Sequence, residues 1–257
     1  MCKDYGLVSV IMPAFNSEAY IRQAIDSVLM QTYQNLELLV VDDCSSDGTV
    51  GIVEEYQKKD NRVRLFLNSS NSGAAKTRNV AIEKAAGRWI AFLDSDDFWA
   101  ADKLCNHLTF MVESAVYFSF TPYQTVDLDG NKISSFYPSK KEYTYGDILK
   151  SNSIGCSTAI YDSRRFGKVF MLENAVKRED MACWLAILKK GEKGVLFNEC
   201  LTFYREGGQS VSSSKIRMIK YQWLVYRKVE NLSLIKSFYL MCHWAINGLK
   251  KHKNKSK

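Results

Sequence analysis

Hydrophobic positions alternate between two rhythms over the first hundred residues. Continuous apolar runs at Leu7–Met12, Leu36–Val41, Val63–Leu67 and Trp89–Leu93 have the length and the branched, aromatic content of strands buried on both faces. Between the first two, Ile21, Ile25, Val28 and Leu29 share one helical face, which predicts a helix capped by Ser17. Ile52, Val53 and Tyr56 mark a second helix. Ala74, Ala81 and Ala85 mark a third, ended by Gly87. Pro13 is expected to stop the first strand.

Four strand–helix alternations predict an α/β fold, a mostly parallel, doubly wound sheet with helices on both faces. Ligands of such sheets bind beyond the carboxyl ends of the strands. Three polar clusters fall there, at Pro13–Glu18, Asp42–Asp47 and Asp94–Asp97. After about residue 115 the rhythm changes. Val116–Tyr123 is aromatic and β-branched, Gln124–Gly130 reads as a polar turn, and Thr144–Lys150 and Arg178–Lys190 read as helices. The chain therefore divides into residues 1–115, a mixed α+β half over 116–214 of the same domain, and a tail over 215–257.

Composition narrows the class. With 257 residues, 46% hydrophobic and 25% charged, the chain is globular and neither disordered nor fibrous. The net charge of +7 is unevenly placed. Residues 215–257 carry eleven Lys/Arg and one acid, whereas residues 1–214 carry 24 basic and 27 acidic groups. Seven cysteines without a C-x-x-C pair suggest scattered reduced thiols, and three histidines without H-E-x-x-H leave little for a histidine metal site. No signal peptide is read in Met1–Leu7, and no run of 18 clean apolar residues occurs.

The polar clusters limit the chemistry. The first turn, Pro13-Ala-Phe-Asn16, lacks both G-x-G-x-x-G and G-x-x-x-x-G-K-[ST], which removes dinucleotide enzymes and P-loop triphosphatases. Asp94-Ser-Asp96 places two carboxylates on one side of an extended segment, where they could face one Mg²⁺ or Mn²⁺. Capping of a turn is the plainer alternative. Asp43 could accept a hydrogen bond from a nucleoside, or form an Asx turn with Ser45. Arg78 and Lys76 could meet phosphate or simply be solvated.

Four ordered segments carry a resemblance. Val8–Asn16, Val41–Thr49, Gly73–Asn79 and Gly87–Asp97 resemble the family 2 glycosyltransferases, inverting enzymes of the GT-A fold that use nucleotide sugars. The chain is similar to members that build bacterial surface polysaccharides of O-antigen, capsule or teichuronic acid type. The resemblance implies that Pro13, Ala14, Phe15, Asn16 and Glu18 line the nucleotide pocket and that Asp43 holds the base of a UDP-sugar. It implies Arg78, Asp94 and Ser95 as further nucleotide contacts, and Asp96, with Asp94, as ligand of Mn²⁺ or Mg²⁺. Residues 1–115 would then be the donor half and 116–214 the acceptor half. Lys177-Arg-Glu-Asp180 resembles the family's Glu-Asp motif, which implies Asp180 as general base with Glu179 and Trp184 beside the acceptor. Arg205 and Ser210 resemble parts of a loop over the diphosphate, which Gly207-Gly208 would let move.

The tail from Leu232 to Leu249 is apolar but interrupted by Lys236, His243 and Asn247, and five lysines follow among the last eight residues. This predicts a helix in the membrane interface, with Trp244 and Tyr239 at headgroup depth and lysines on anionic lipid. Packing on the protein body is the alternative. The expected partners are a nucleotide-sugar donor, a lipid-linked glycan acceptor and a membrane surface, with no nucleic acid, for an enzyme on the inner face of the cytoplasmic membrane. A non-catalytic nucleotide-sugar or glycan-binding relative is the rival reading.

Overall fold

The computed structural model describes residues 2–173, 177–207 and 215–254. In chain order the first half contains β1 (Val8–Ala14), α1 (Ile21–Leu29), β2 (Leu36–Asp42), α2 (Thr49–Lys59), β3 (Val63–Leu67), α3 (Ala74–Lys84), β4 (Trp89–Phe92), β5 (Phe98–Trp99) and α4 (Lys103–Glu113). There follow β6 (Phe118–Phe120), β7 (Tyr123–Val126), β8 (Lys132–Phe136), β9 (Glu142–Tyr143), α5 (Tyr145–Lys150), β10 (Ile160–Asp162) and α6 (Ser163–Phe166). Then come α7 (Glu179–Leu188), β11 (Gly194–Leu196), β12 (Thr202–Arg205), α8 (Lys215–Leu224) and α9 (Leu234–Asn254).

An eight-stranded sheet runs in the order β3-β2-β1-β4-β10-β6-β11-β9. Its β3, β2, β1 and β4 are parallel, and β10 enters antiparallel beside β4. The uninterrupted apolar runs have a simple cause: both faces of these strands are covered. Ile11, Leu39, Val41, Ile90 and Phe92 meet α3, α5 and α7 on one face, while Val10, Met12, Leu38, Val40 and Ala91 meet α1, α2 and α4 on the other. A smaller sheet, β5-β12-β7-β8, lies beside this one.

Four local expectations differ. The first strand passes through Pro13 to Ala14, because β4 pairs with β1 only as far as Ile11 and leaves one side of Pro13 without a ladder partner. Ser17 does not cap α1 through its side chain; Tyr20 occupies the cap, and the Ser17 hydroxyl meets Ser95 instead. Cys2 and Cys105 form a disulfide, 103 residues apart in sequence, where reduced thiols were expected. α4 brings Cys105 under the N-terminal segment, a closure that sequence spacing cannot reveal. The third helix closes at Lys84, and Gly87 lies beyond it where a Cβ would come within 2.7 Å of the Leu7 carbonyl and the Ser9 amide.

Helix α7 is apolar on nearly every side, from Met181 to Leu188, so it is buried as a core element. Only its first turn, with Glu179 and Asp180, reaches toward the rim. Helix α9 packs along α5 through one face. Its other face exposes Leu234, Ile235, Phe238, Tyr239 and Ile246, with Ile235 85% exposed. Among the described residues no helix is long and apolar enough to cross a membrane.

Candidate active site

The carboxyl ends of β1, β2 and β4 bring the three polar clusters to one rim. The first two are laced together. Asn16, in the left-handed region at φ 48°, accepts from the Ser46 amide at 2.8 Å, and its own amide donates to Ser45 Oγ at 2.9 Å. Glu18 accepts from the Gly48 amide at 2.9 Å. Pro13 and Ala14 end the strand, and Phe15 projects into solvent, 51% exposed.

Asp43 is buried and already well supplied with donors. Its Oδ1 accepts from Asn68 Nδ2 at 2.8 Å, from the Ser72 amide at 2.8 Å and from Ser72 Oγ at 3.0 Å, and its Oδ2 from the Gly73 amide at 2.8 Å. Burial acts to raise its carboxyl, but these bonds outweigh it and hold the group below its ordinary range. Asp43 thus fixes the loop that leads into α3. The Asx turn with Ser45 exists, but Asp42 is its acceptor, bonded to the Ser45 amide at 2.9 Å and to the hydroxyl.

The third cluster faces a buried guanidinium. Arg78, on α3, lies 2.5 Å from Asp94 Oδ1 through Nη2 and 3.7 Å from Glu179 Oε1 through Nη1. Burial would lower its pKa, but the Asp94 charge reverses this and raises it. Arg78, expected to face phosphate, is thus engaged by two carboxylates of the chain and joins the β4 loop to α7. Cys156 sits within electrostatic reach of Arg78, Asp94 and Asp180 together, so these groups share one locale.

Asp96 is open to water. The protein crowded around it, and after that the charge of Asp94, push its carboxyl up to about 6. Ser95 points inward to Ser17, Oγ to Oγ 2.7 Å. Asp97 is buried, accepting from Ser157 Oγ at 2.5 Å and from the Arg205 amide at 3.0 Å. Burial, reinforced by Asp96 and Asp94, raises it strongly.

Asp180 lies at the start of α7, its Oδ2 accepting from Asn152 Nδ2 at 3.1 Å and its Oδ1 from the Met181 amide at 2.6 Å. Burial and then the neighbouring Glu179 charge raise its pKa. Trp184, expected beside the acceptor, is instead fully buried, packed between Phe92 and Phe118 with ring centroids 5.5 and 5.3 Å away. One turn along a helix that is apolar beyond Asp180, it faces the core. Arg205 likewise belongs to a strand and not to a loop. It is a buried brace on β12, bonded to the Asp96 carbonyl at 2.9 Å, the Asp127 and Leu128 carbonyls and Gln23, with its guanidinium 4.6 Å from the Tyr20 ring. Ser210 and Gly208 lie outside the described residues.

Sequence reasoning missed Asn152, Asn68 and Ser157. Each is a single polar residue in a loop, and only the fold shows that it meets a rim carboxylate.

The sequence and the sheet agree with known proteins. The family described as Glycosyl transferase family 2 matches residues 9–168. TuaG of Bacillus subtilis, a glycosyltransferase assigned to teichuronic acid biosynthesis, is 43% identical over 245 residues, covering 95% of this chain and 97% of its own. WfgD of Escherichia coli, a UDP-Glc:alpha-D-GlcNAc-diphosphoundecaprenol beta-1,3-glucosyltransferase, is 39% identical over 250 residues, covering 97% and 96%. The crystal structure of S. aureus TarS 1–349 in complex with UDP-GlcNAc superposes with a TM-score of 0.71 at 24% identity, covering 93% of this chain and 71% of that one, and shares the GT-A fold. The chain belongs to glycosyl transferase family 2.

Proposed function

We propose that the chain transfers a sugar from a UDP-sugar to a hydroxyl of a lipid-linked glycan, inverting the anomeric carbon, in the assembly of a bacterial surface polysaccharide. The observation that carries this reading is the Arg78 bridge, which gathers Asp94 of one acid pair and Glu179 of the other around one guanidinium. Intact acids in one cleft favour an enzyme over a non-catalytic binder. The 39% identity to WfgD makes UDP-glucose the first donor to test.

Asp96 and Asp94 form a donor set suited to Mn²⁺ or Mg²⁺. No side chain is paired with the Asp96 carboxylate among the described residues, and no third His, Cys, Asp or Glu clusters with the pair. Such ions are commonly held by one or two carboxylates, with water and substrate phosphate completing the shell. A bound ion would offset charge on the departing diphosphate. The rim residues Pro13, Ala14, Phe15, Asn16 and Glu18 would border the nucleotide. Asp43 Oδ2, with one protein donor, has room for one more from the base.

Asp180 would take the proton from the acceptor hydroxyl as that oxygen attacks the anomeric carbon from the face opposite the diphosphate. Its sheltered position raises its basicity, and Asn152 and the Met181 amide fix its orientation. The exposed apolar stripe on α9 supports a peripheral position on the inner membrane face, where a lipid-linked acceptor would be met. Tyr239 is on that stripe; Trp244 is not, because it turns inward beneath Arg178.

The test is Asp180→Asn. Transfer is expected to fall roughly a thousandfold or more, with calorimetric affinity for UDP and Mn²⁺ changed by less than about twofold. A variant as active as wild type would remove Asp180 from the mechanism.

A further inference from the structure

A groove of about 360 Å³ opens between α5, the β8–β9 connection and α9. Its wall includes Tyr137, Lys140, Lys150, Ser151, Ser153 and Asn247. Two links tie it to the candidate base. Asn152, between Ser151 and Ser153, donates to Asp180 Oδ2. On α9, Asn247 donates to the Lys150 carbonyl at 3.4 Å, and Trp244, one turn earlier on the same face, lies 5.7 Å from the Arg178 guanidinium.

Arg178 immediately precedes Glu179 and Asp180, yet among the described residues it forms no ion pair within 4.0 Å. Its Nε is buried without a hydrogen-bond partner. Burial lowers its pKa, and the charges of Asp180, Tyr226 and Glu179 only partly oppose this. An arginine held this way lacks the anion its planar fork is built to meet. Lys140 is neutralised by Asp147, its ion-pair partner, whereas Lys150 has no acidic partner among the described residues. Of the charged groups that line the groove, Lys150 is therefore the one left uncompensated among the described residues.

We propose that Arg178 and Lys150 bind the diphosphate that joins the acceptor sugar to its lipid, with the sugar lying toward Asp180 and the exposed ring of Tyr137 farther along the groove. This rests on the reading of the chain as a transferase to lipid-linked acceptors. It adds which residues recognise the charged linker. The arrangement is economical in space: on one sugar ring the reacting hydroxyl and the anomeric diphosphate are separated by the ring itself, and Asp180 and Arg178 are two positions apart at one helix start. It also gives α9 a second task. The helix offers its outer face to lipid and its inner face to Arg178 and Lys150, so the linker would leave the groove beside the bilayer.

Butyl diphosphate, which carries the linker chemistry without sugar or long lipid, is the probe. It is titrated calorimetrically into full-length protein saturated with UDP and Mn²⁺, so that the donor site is filled. Wild type is expected to bind it, Arg178→Gln at least tenfold more weakly, Lys150→Gln severalfold more weakly, and Arg178→Lys in between. UDP affinity should be the same in all four. Binding to phosphatidylglycerol vesicles should not change with Arg178→Gln. Equal affinity of Arg178→Gln and wild type for butyl diphosphate, or no binding by wild type, would overturn the proposal. So would a loss of vesicle binding in Arg178→Gln, which would make a lipid headgroup the ligand. If UDP fails to bind wild type, the reading of the donor site falls instead, and the butyl diphosphate titration without UDP still decides the anion site.

Discussion

The two acid pairs of the cleft are chemically alike and built in opposite ways. Asp94 and Asp96 stand on a loop at the end of a parallel strand, and Asp96 is open to water. Glu179 and Asp180 stand on the first turn of a helix that is otherwise core, where Asn152 and the Met181 amide satisfy Asp180. Each pair contains one acid raised by protein surroundings and by its partner. On the proposed reading the open pair would keep lone pairs available for an ion, while the sheltered pair would keep a basic oxygen held in one orientation. Environment, not residue type, divides the roles. Arg78 stands between them and belongs to both.

Removing that arginine should produce the largest effect. Arg78→Met leaves Asp94 and Glu179 without their shared cation in a largely buried site, and truncating one partner of such a pair costs roughly 3–5 kcal/mol. Urea denaturation would measure it. A loss below about 1 kcal/mol would mean that the two pairs are held together by the backbone alone. Asp96→Ala addresses the open pair only. Mn²⁺-dependent UDP affinity should fall about tenfold or more, roughly the worth of one charge-assisted contact, whereas Asp180→Asn should leave it unchanged. Similar losses in both variants would erase the division between the pairs.

How far sequence reaches follows the same division. The first half was legible because four parallel strands covered on both faces must be continuously apolar, and their ends set Asp43, Asp94 and Asp96 on one rim. The second half was legible only where a motif stood in for geometry. Helix α7 shows no amphipathic stripe, since it is buried all round, so nothing in its pattern told Trp184 as core from Trp184 as cleft. Arg205 reads as a loop cation, but its donors are taken by carbonyls more than seventy residues away in sequence. The Cys2–Cys105 bridge and the Asn152–Asp180 contact depend likewise on closures that no local rule contains.

The tail gives a smaller contrast. Exchanging Ile235 and Phe238 together for Gln removes two exposed apolar side chains from α9. Binding to anionic vesicles should drop about tenfold, since burying such side chains is worth roughly 1.5–3 kcal/mol when complete. Folding stability should change by less than about 0.5 kcal/mol, as for surface positions generally. Unchanged vesicle binding would assign the stripe to a protein partner.

The finest test separates the two acids of the sheltered pair. A general base works only when unprotonated, so activity should fall as the pH drops through the pKa of Asp180. Burial first and Glu179 second raise that pKa, which puts the acid limb of kcat above the ordinary carboxylate range. Glu179→Gln removes the like charge and leaves Arg78 freer to stabilise the ionised Asp180. Both changes lower the pKa, so the limb should move to lower pH while burial still holds it above the ordinary value. The plateau should decline only a few-fold, as a slightly weaker base would. The profile is to be taken at saturating donor and Mn²⁺, where titration of Asp96 is suppressed. A limb that stays in place would mean that Asp180 does not set it; a limb that moves upward would contradict both routes and equally remove Asp180 as the group that sets it.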